Sequence, residues 1–327
     1  MVLELTCLRY KGVKLSFIAI QSVLLSERKN AKKIKMERYT KSFIASALIY
    51  AIIGSFLGIL YLLTSEGFIS INGVSIYPLI VATVHAFLLG FFTMMIFGVT
   101  YHIIPMFTEK GFYSPVLAYT HLFLSNLGVI GIITFLLFST YYPTESHPMA
   151  KGAAVLEAAS LIVFIFNMLL TFIKGIPGTG PPNPFGTTDK ETDLVATRYT
   201  SASIIYFLIG CVLGAWMFLS PGDIYFIMPV HAHINLVGFV SMMIFGVSYH
   251  MFPRFAGRPL HSIPIARRQF TVLNVGLIGM VLLFAFAERD GAIYRVILPL
   301  FGTATSVSIG LYVYNVWKTL GANHPST

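Results

Sequence analysis

Two histidines occupy matching places in a duplicated segment. VHAFLLGFFTMMIFGVTYHIIP begins at Val84 and AHINLVGFVSMMIFGVSYHMFP at Ala232, aligned without a gap at an offset of about 148 residues. His85 falls on His233, Gly90 on Gly238, Phe97 and Gly98 on Phe245 and Gly246, His102 on His250, and Pro105 on Pro253. The register continues to Asn126 with Asn274 and Gly128 with Gly276. An imidazole in an apolar run is costly unless it faces an interior and finds a partner. Two imidazoles at matched depth can bind opposite sides of one metal. Haem iron is the centre that an apolar helical bundle can house. The alternative is packing against a backbone carbonyl, since a copied sequence also copies its packing.

His231 precedes His233 by two positions. At about 100° per residue the two side chains point to nearly opposite faces, so one helix can serve two sites. The first-half equivalent of His231 is Thr83, which makes any second site asymmetric. Contact with lipid headgroups is the other reading of His231. His102 and His250 lie about 25 Å further along and about 100° around, and read as residues ending a helix at the membrane boundary. His121 pairs with Gln269 and reads as polar packing; Asn126 and Asn274 read as bonds between helices. Glu157 can orient a ligand histidine, carry a proton or sit near an interface. The duplicated Met pairs read as adaptable packing.

These residues need elements to hold them. More than half of the chain is apolar and 11% is charged, which belongs to a polytopic membrane protein. Eight stretches reach the roughly 20 apolar residues that span a bilayer: about 42–63, 79–104, 116–140, 152–174, 200–219, 229–252, 269–287 and 293–317. The expected fold is all-α, an eight-helix transmembrane bundle of two parallel four-helix repeats. Four spans per half return the second copy in the orientation of the first, about a pseudo-two-fold axis along the membrane normal. His85 and His233 then lie roughly 6–9 Å below one boundary. RYT recurs at Arg38 and Arg198, and IYAIIGSFLG from Ile49 matches IYFLIGCVLG from Ile205.

The expected parts are a basic N-terminal segment (1–41), repeat 1 (42–174), a Pro/Gly-rich linker (175–199), repeat 2 (200–318) and a tail (319–327). Placing both termini in the cytoplasm leaves only Lys151, Arg289 and Arg295 among the basic residues on the outer side. The net charge of +9 is thus topological, pointing to anionic lipid and not to nucleic acid. VKLSFIAIQSVLL, from Val13, reads as an interfacial helix or as an artefact of start-site choice, since Met36 directly precedes the first span. Cys7 and Cys211 indicate no disulfide framework.

HAHINLVGFVSMMIFGVSYHMFPRFAGRPL, from His231 to Leu260, resembles the tenth helix of subunit I of the heme-copper oxidases. That family carries an H-x-H pair followed by a glycine-containing helix, an aromatic end with proline and a basic turn. The resemblance implies that His231 binds a high-spin haem and His233 a low-spin haem, with His85 as the second low-spin ligand. It also implies that Arg289 and Arg295 hold haem propionates, as paired charge would. The chain departs from the family in having eight spans and not about twelve. It shows no adjacent His-His pair and no His-x-x-x-Tyr helix for a copper site. A shorter likeness, in GRPL and the repeated helical histidine, is to the NnrS family of haem- and copper-containing membrane proteins linked to nitric oxide.

The expectation is therefore a multi-pass cell-membrane protein carrying one haem b, with a second on His231 left open and without a complete copper site. It implies respiratory electron transfer or O2 or NO chemistry, with respiratory subunits or an electron donor as partners. Oxidase or nitric oxide reductase activity remains open. The alternative is a non-redox transporter or accessory subunit built on the repeat.

Overall fold

The computed structural model describes residues 9–10, 13–14, 36–69, 76–108, 110–139, 143–175, 190–219, 222, 224–287 and 291–321. Two units divide the chain, Met1–Glu37 and Arg38–Thr327. In the first, Arg9–Tyr10 pairs antiparallel with Val13–Lys14. Val13 and Lys14, which open the stretch read as an interfacial helix, are thus strand, and 15–35 lie outside the described residues.

Among the described residues, the second unit is built of helices joined by turns, and eight spans can be traced. Its eight spans begin with Arg38–Ser65, continue through a composite second helix, then Pro115–Phe138 and Pro143–Lys174. The fifth is Lys190–Leu219, the sixth is again composite, and Ile263–Phe286 and Ala292–Gly321 complete the set. All eight contain a window long and apolar enough to cross a membrane. Large exposed apolar side chains such as Ile52, Phe56, Val116, Phe123 and Trp317 clothe the outside, which suits lipid and not water. The all-helical polytopic bundle expected from the sequence is the fold observed.

The second and sixth spans are each built in three pieces. The second runs as α-helix Ile76–His85, π-helix Ala86–Thr93 and α-helix Met94–Thr108. The sixth runs as Ile224–His233, Ile234–Ser241 and Met242–Phe255. Each π segment starts directly after the duplicated histidine. At matching places Thr93 and Ser241 donate their hydroxyls to the carbonyls five residues back, Leu88 O at 2.7 Å and Leu236 O at 2.9 Å. Inside the π segments Gly90 lies against the Tyr50 ring and Gly238 against the Tyr206 ring. A Cβ on either would come within 2.6 Å of ring carbon. Because π spacing turns the chain by less than 100° per residue, the angle between His85 and His102 expected for an unbroken α-helix does not hold.

The duplication extends through all four spans of each half. Ser114 and Ser262 cap the third and seventh helices, accepting from Leu117 N and Ile265 N at 3.3 Å. Asn167 donates to Ser114 O at 3.0 Å and Asn315 to Ser262 O at 2.9 Å. Thr171 accepts from Tyr113 N, and Thr319 from His261 N. Tyr50 donates to Asn126 Oδ1 at 3.1 Å and Tyr206 to Asn274 Oδ1 at 2.7 Å, joining first to third and fifth to seventh spans. These bonds make the duplicated asparagines interhelical ties, as the sequence leads one to expect.

The start of the fifth helix and the register of one repeated motif differ from the sequence reading. The fifth helix begins at Lys190, inside the stretch taken as linker. Glu191 and Asp193 in its first turn favour a helix N-terminus there. The RYT motifs are also out of structural register. Gly98 packs on Phe43 and Ile44, whereas Gly246 packs on Tyr199 and Thr200. Tyr199 therefore corresponds to Phe43, and Arg38 with Arg198 are one helical turn apart when the halves are matched.

Candidate functional site

The second and sixth spans meet through their π segments, which places the ends carrying His85, His231 and His233 side by side. His85 and His231 face each other across this contact, with ring centres 6.4 Å apart and planes 19° from parallel. The sequence pairs His85 with His233. The structure instead turns His233 to the seventh span, 4.8 Å from the Phe284 ring. The reason is rotational: residues two apart on a helix point about 200° apart, so only one of them can face the second span.

All three imidazoles engage a backbone carbonyl through Nδ1. His85 bonds Val81 O and His233 bonds Pro229 O, each at 2.8 Å, four residues back in their own helices. His231 reaches across to Gly210 O on the fifth span at 2.9 Å. A carbonyl can only accept, so each Nδ1 carries the hydrogen and Nε2 keeps its lone pair. That is the tautomer a metal-binding histidine needs.

The surroundings of His231 are closely fitted. A Cβ added at Gly214 would lie 3.0 Å from His231 Cε1. Asn235, four residues on, donates to His231 O at 2.9 Å, and its Nδ2 sits 3.3 Å from His231 Nδ1. Its side chain rests directly over Gly210. The sequence reading missed Asn235, Gly210 and Gly214. The available signal was a paired exchange at two positions four apart, Thr83 for His231 and Phe87 for Asn235.

Of the two arginines implied by resemblance, Arg289 lies outside the described residues, and Arg295 is exposed near the start of the eighth span. Tyr294, its neighbour, approaches Phe284, so the eighth span begins close to the ring that covers His233.

Other polar groups are buried elsewhere. Glu157 lies in a notch against Gly128 and accepts from Ser160 Oγ at 3.0 Å. In the second half Thr305 fills the same notch against Gly276. His121 is fully buried among Phe43, Phe97 and Phe164, with Nδ1 2.9 Å from Tyr101 OH. Its counterpart Gln269 accepts from Tyr249 at 2.8 Å and also from Tyr199. At the opposite end of the sixth span His250 Nδ1 lies 2.9 Å from Asp193, which also takes Arg254 at 3.0 Å. Among the described residues no group of three or more His, Cys, Asp and Glu side chains converges as a metal site.

Imidazoles that bind one metal from opposite sides through bonds of about 2 Å hold their ring centres roughly 6 Å apart. The 6.4 Å between the His85 and His231 ring centres, with both Nδ1 atoms engaged, leaves two Nε2 atoms on neighbouring helices that could hold a metal. Fold and site together define a polytopic helical membrane protein with an imidazole pair at the contact of two repeats. The family model for cytochrome c and quinol oxidase polypeptide I matches residues 17–323. The chain belongs to that family and is a heme-copper oxidase-like membrane protein. A direct comparison with curated proteins finds no match.

Proposed function

We propose that this protein binds haem b between its second and sixth spans and works in respiratory electron transfer or in O2 or NO chemistry. The observation that carries the reading is the facing pair His85 and His231, 6.4 Å apart in a membrane interior. The His231 ring is not there for want of a cheaper residue: Thr83 takes its matching place in the other half. Family membership supports the same cofactor class. When bound, the iron supplies one-electron and diatomic-ligand chemistry. The protein would supply two Nε2 ligands, their tautomers fixed through Val81 O and Gly210 O.

His233 points away from this pair, beside Phe284 and the start of the eighth span, and is the ligand for a second porphyrin on that side. Arg289 and Arg295 would neutralise propionates; the bias of basic residues supports histidine ends at the outer face and both termini in the cytoplasm. Purified protein expressed with haem supplied tests the reading. A reduced-minus-oxidised difference spectrum with a sharp low-spin band supports it, and a flat difference spectrum removes it.

A further inference from the structure

The two halves pack alike, so positions where they differ mark what one half does alone. Gly54 and Gly58 of the first span correspond to Gly210 and Gly214 of the fifth. In the first half these glycines face Phe87 and Thr83, whose nearest atoms would lie 3.0 and 3.6 Å from an added Cβ. In the second half they face Asn235 and His231. An aromatic and a small side chain have thus been exchanged together for an amide and an imidazole. The two are four apart, on one face of one helix.

The amide has an identifiable task. His231 Nδ1 already donates to Gly210 O at 2.9 Å, so the imidazole by itself does not need Asn235. Asn235 donates to the backbone carbonyl of His231 at 2.9 Å, bridging the junction where the α-helix passes into the π segment Ile234–Ser241. Its nitrogen also rests 3.3 Å from the ring. The ring is therefore bounded by the Gly210 carbonyl, the Asn235 amide and the bare backbone of Gly214. Burying an amide in a membrane interior costs free energy that Phe87 does not incur in the other half.

We infer that Asn235 is a positioning residue for His231: by holding the His231 backbone carbonyl it fixes the place from which the imidazole would reach the iron it shares with His85. The inference rests on the reading of His231 as an iron ligand. Partners of this kind commonly change metal affinity by about 10- to 100-fold.

The test compares wild type with Asn235→Leu, Asn235→Ala, Asn235→Ser and, at the matching first-half position, Phe87→Leu. Haem affinity is measured by titration and spin state by low-temperature EPR. Leu and Ala at 235 are expected to weaken haem binding about 10-fold and raise the high-spin fraction. Ser, whose hydroxyl can donate to the carbonyl four residues back, restores most of the low-spin signal. Phe87→Leu leaves both readouts unchanged. Unaltered affinity and spin state in both Leu and Ala variants overturn the inference, and so does an equal loss in Phe87→Leu, which would mark general packing. If Leu does not fold, the contrast between Ala and Ser decides. Wild type that takes up no haem sinks the proposed function, and the role of Asn235 with it; haem binding indifferent to position 235 sinks this inference alone.

Discussion

Replacing Gly214 by alanine should displace His231, the proposed iron ligand, without removing any polar group. The new Cβ would stand 3.0 Å from His231 Cε1. Carbon atoms in favourable contact sit about 3.5–4.0 Å apart, so the imidazole must retreat by about 0.5 Å. It has little room, because Nδ1 is tied to Gly210 O and the backbone to Asn235. Metal–ligand distances hold to about 0.2 Å, so a displacement of this size takes His231 out of good ligation. The same substitution at Gly58 provides the control: its Cβ would meet Thr83 Cγ2 at 3.6 Å, an ordinary contact. The assay is the optical and EPR spin state of haem-loaded protein. Gly214→Ala should convert low-spin haem to high-spin or release it, and Gly58→Ala should match wild type. Identical low-spin spectra in both variants would refute the argument from ring placement.

Three further outcomes follow from the packing. Gly90→Ala and Gly238→Ala drive a Cβ into Tyr50 and Tyr206 and should each cost about 1–3 kcal/mol, seen as a lower unfolding temperature in detergent. His121→Gln should fold with near wild-type stability, since Gln269 serves the matching Tyr249; His121→Leu, which removes the imidazole beside the Tyr101 hydroxyl, should lose about 1 kcal/mol. Asp193→Ala takes a carboxylate from the buried Arg254 and should lower thermal stability clearly, whereas Glu191→Ala, in an exposed pair with Arg267, should change it little.

Much of this architecture is written plainly in the residues. Long apolar runs fix the eight spans, because a bilayer leaves no other way to satisfy the backbone. The gapless match of Val84–Pro105 to Ala232–Pro253 reveals the repeat and brings His85, His231 and His233 forward. What stays hidden is rotational phase. Nothing in AFLLGFFT or INLVGFVS announces i→i+5 spacing, and without it the angle from His85 to His102 is misjudged. Which of His231 and His233 faces the second span depends on how the whole helix is rolled in the bundle, which packing against Gly210 and Gly214 decides. The RYT motifs mislead because three identical letters outweigh a one-turn shift in helical register, whereas the glycine–tyrosine contacts do not. Charge near a helix start, as at Glu191 and Asp193, reads equally as linker until packing on the sixth span draws Asp193 to His250 and Arg254.

Spectra of haem-loaded His85→Ala, His231→Ala and His233→Ala proteins, recorded beside wild type, bear most directly on which imidazoles hold the iron. Loss of the low-spin signal in the first two variants, with its survival in His233→Ala, is the predicted result. A low-spin signal that survives in His231→Ala but vanishes in His233→Ala would contradict the pairing of His85 with His231.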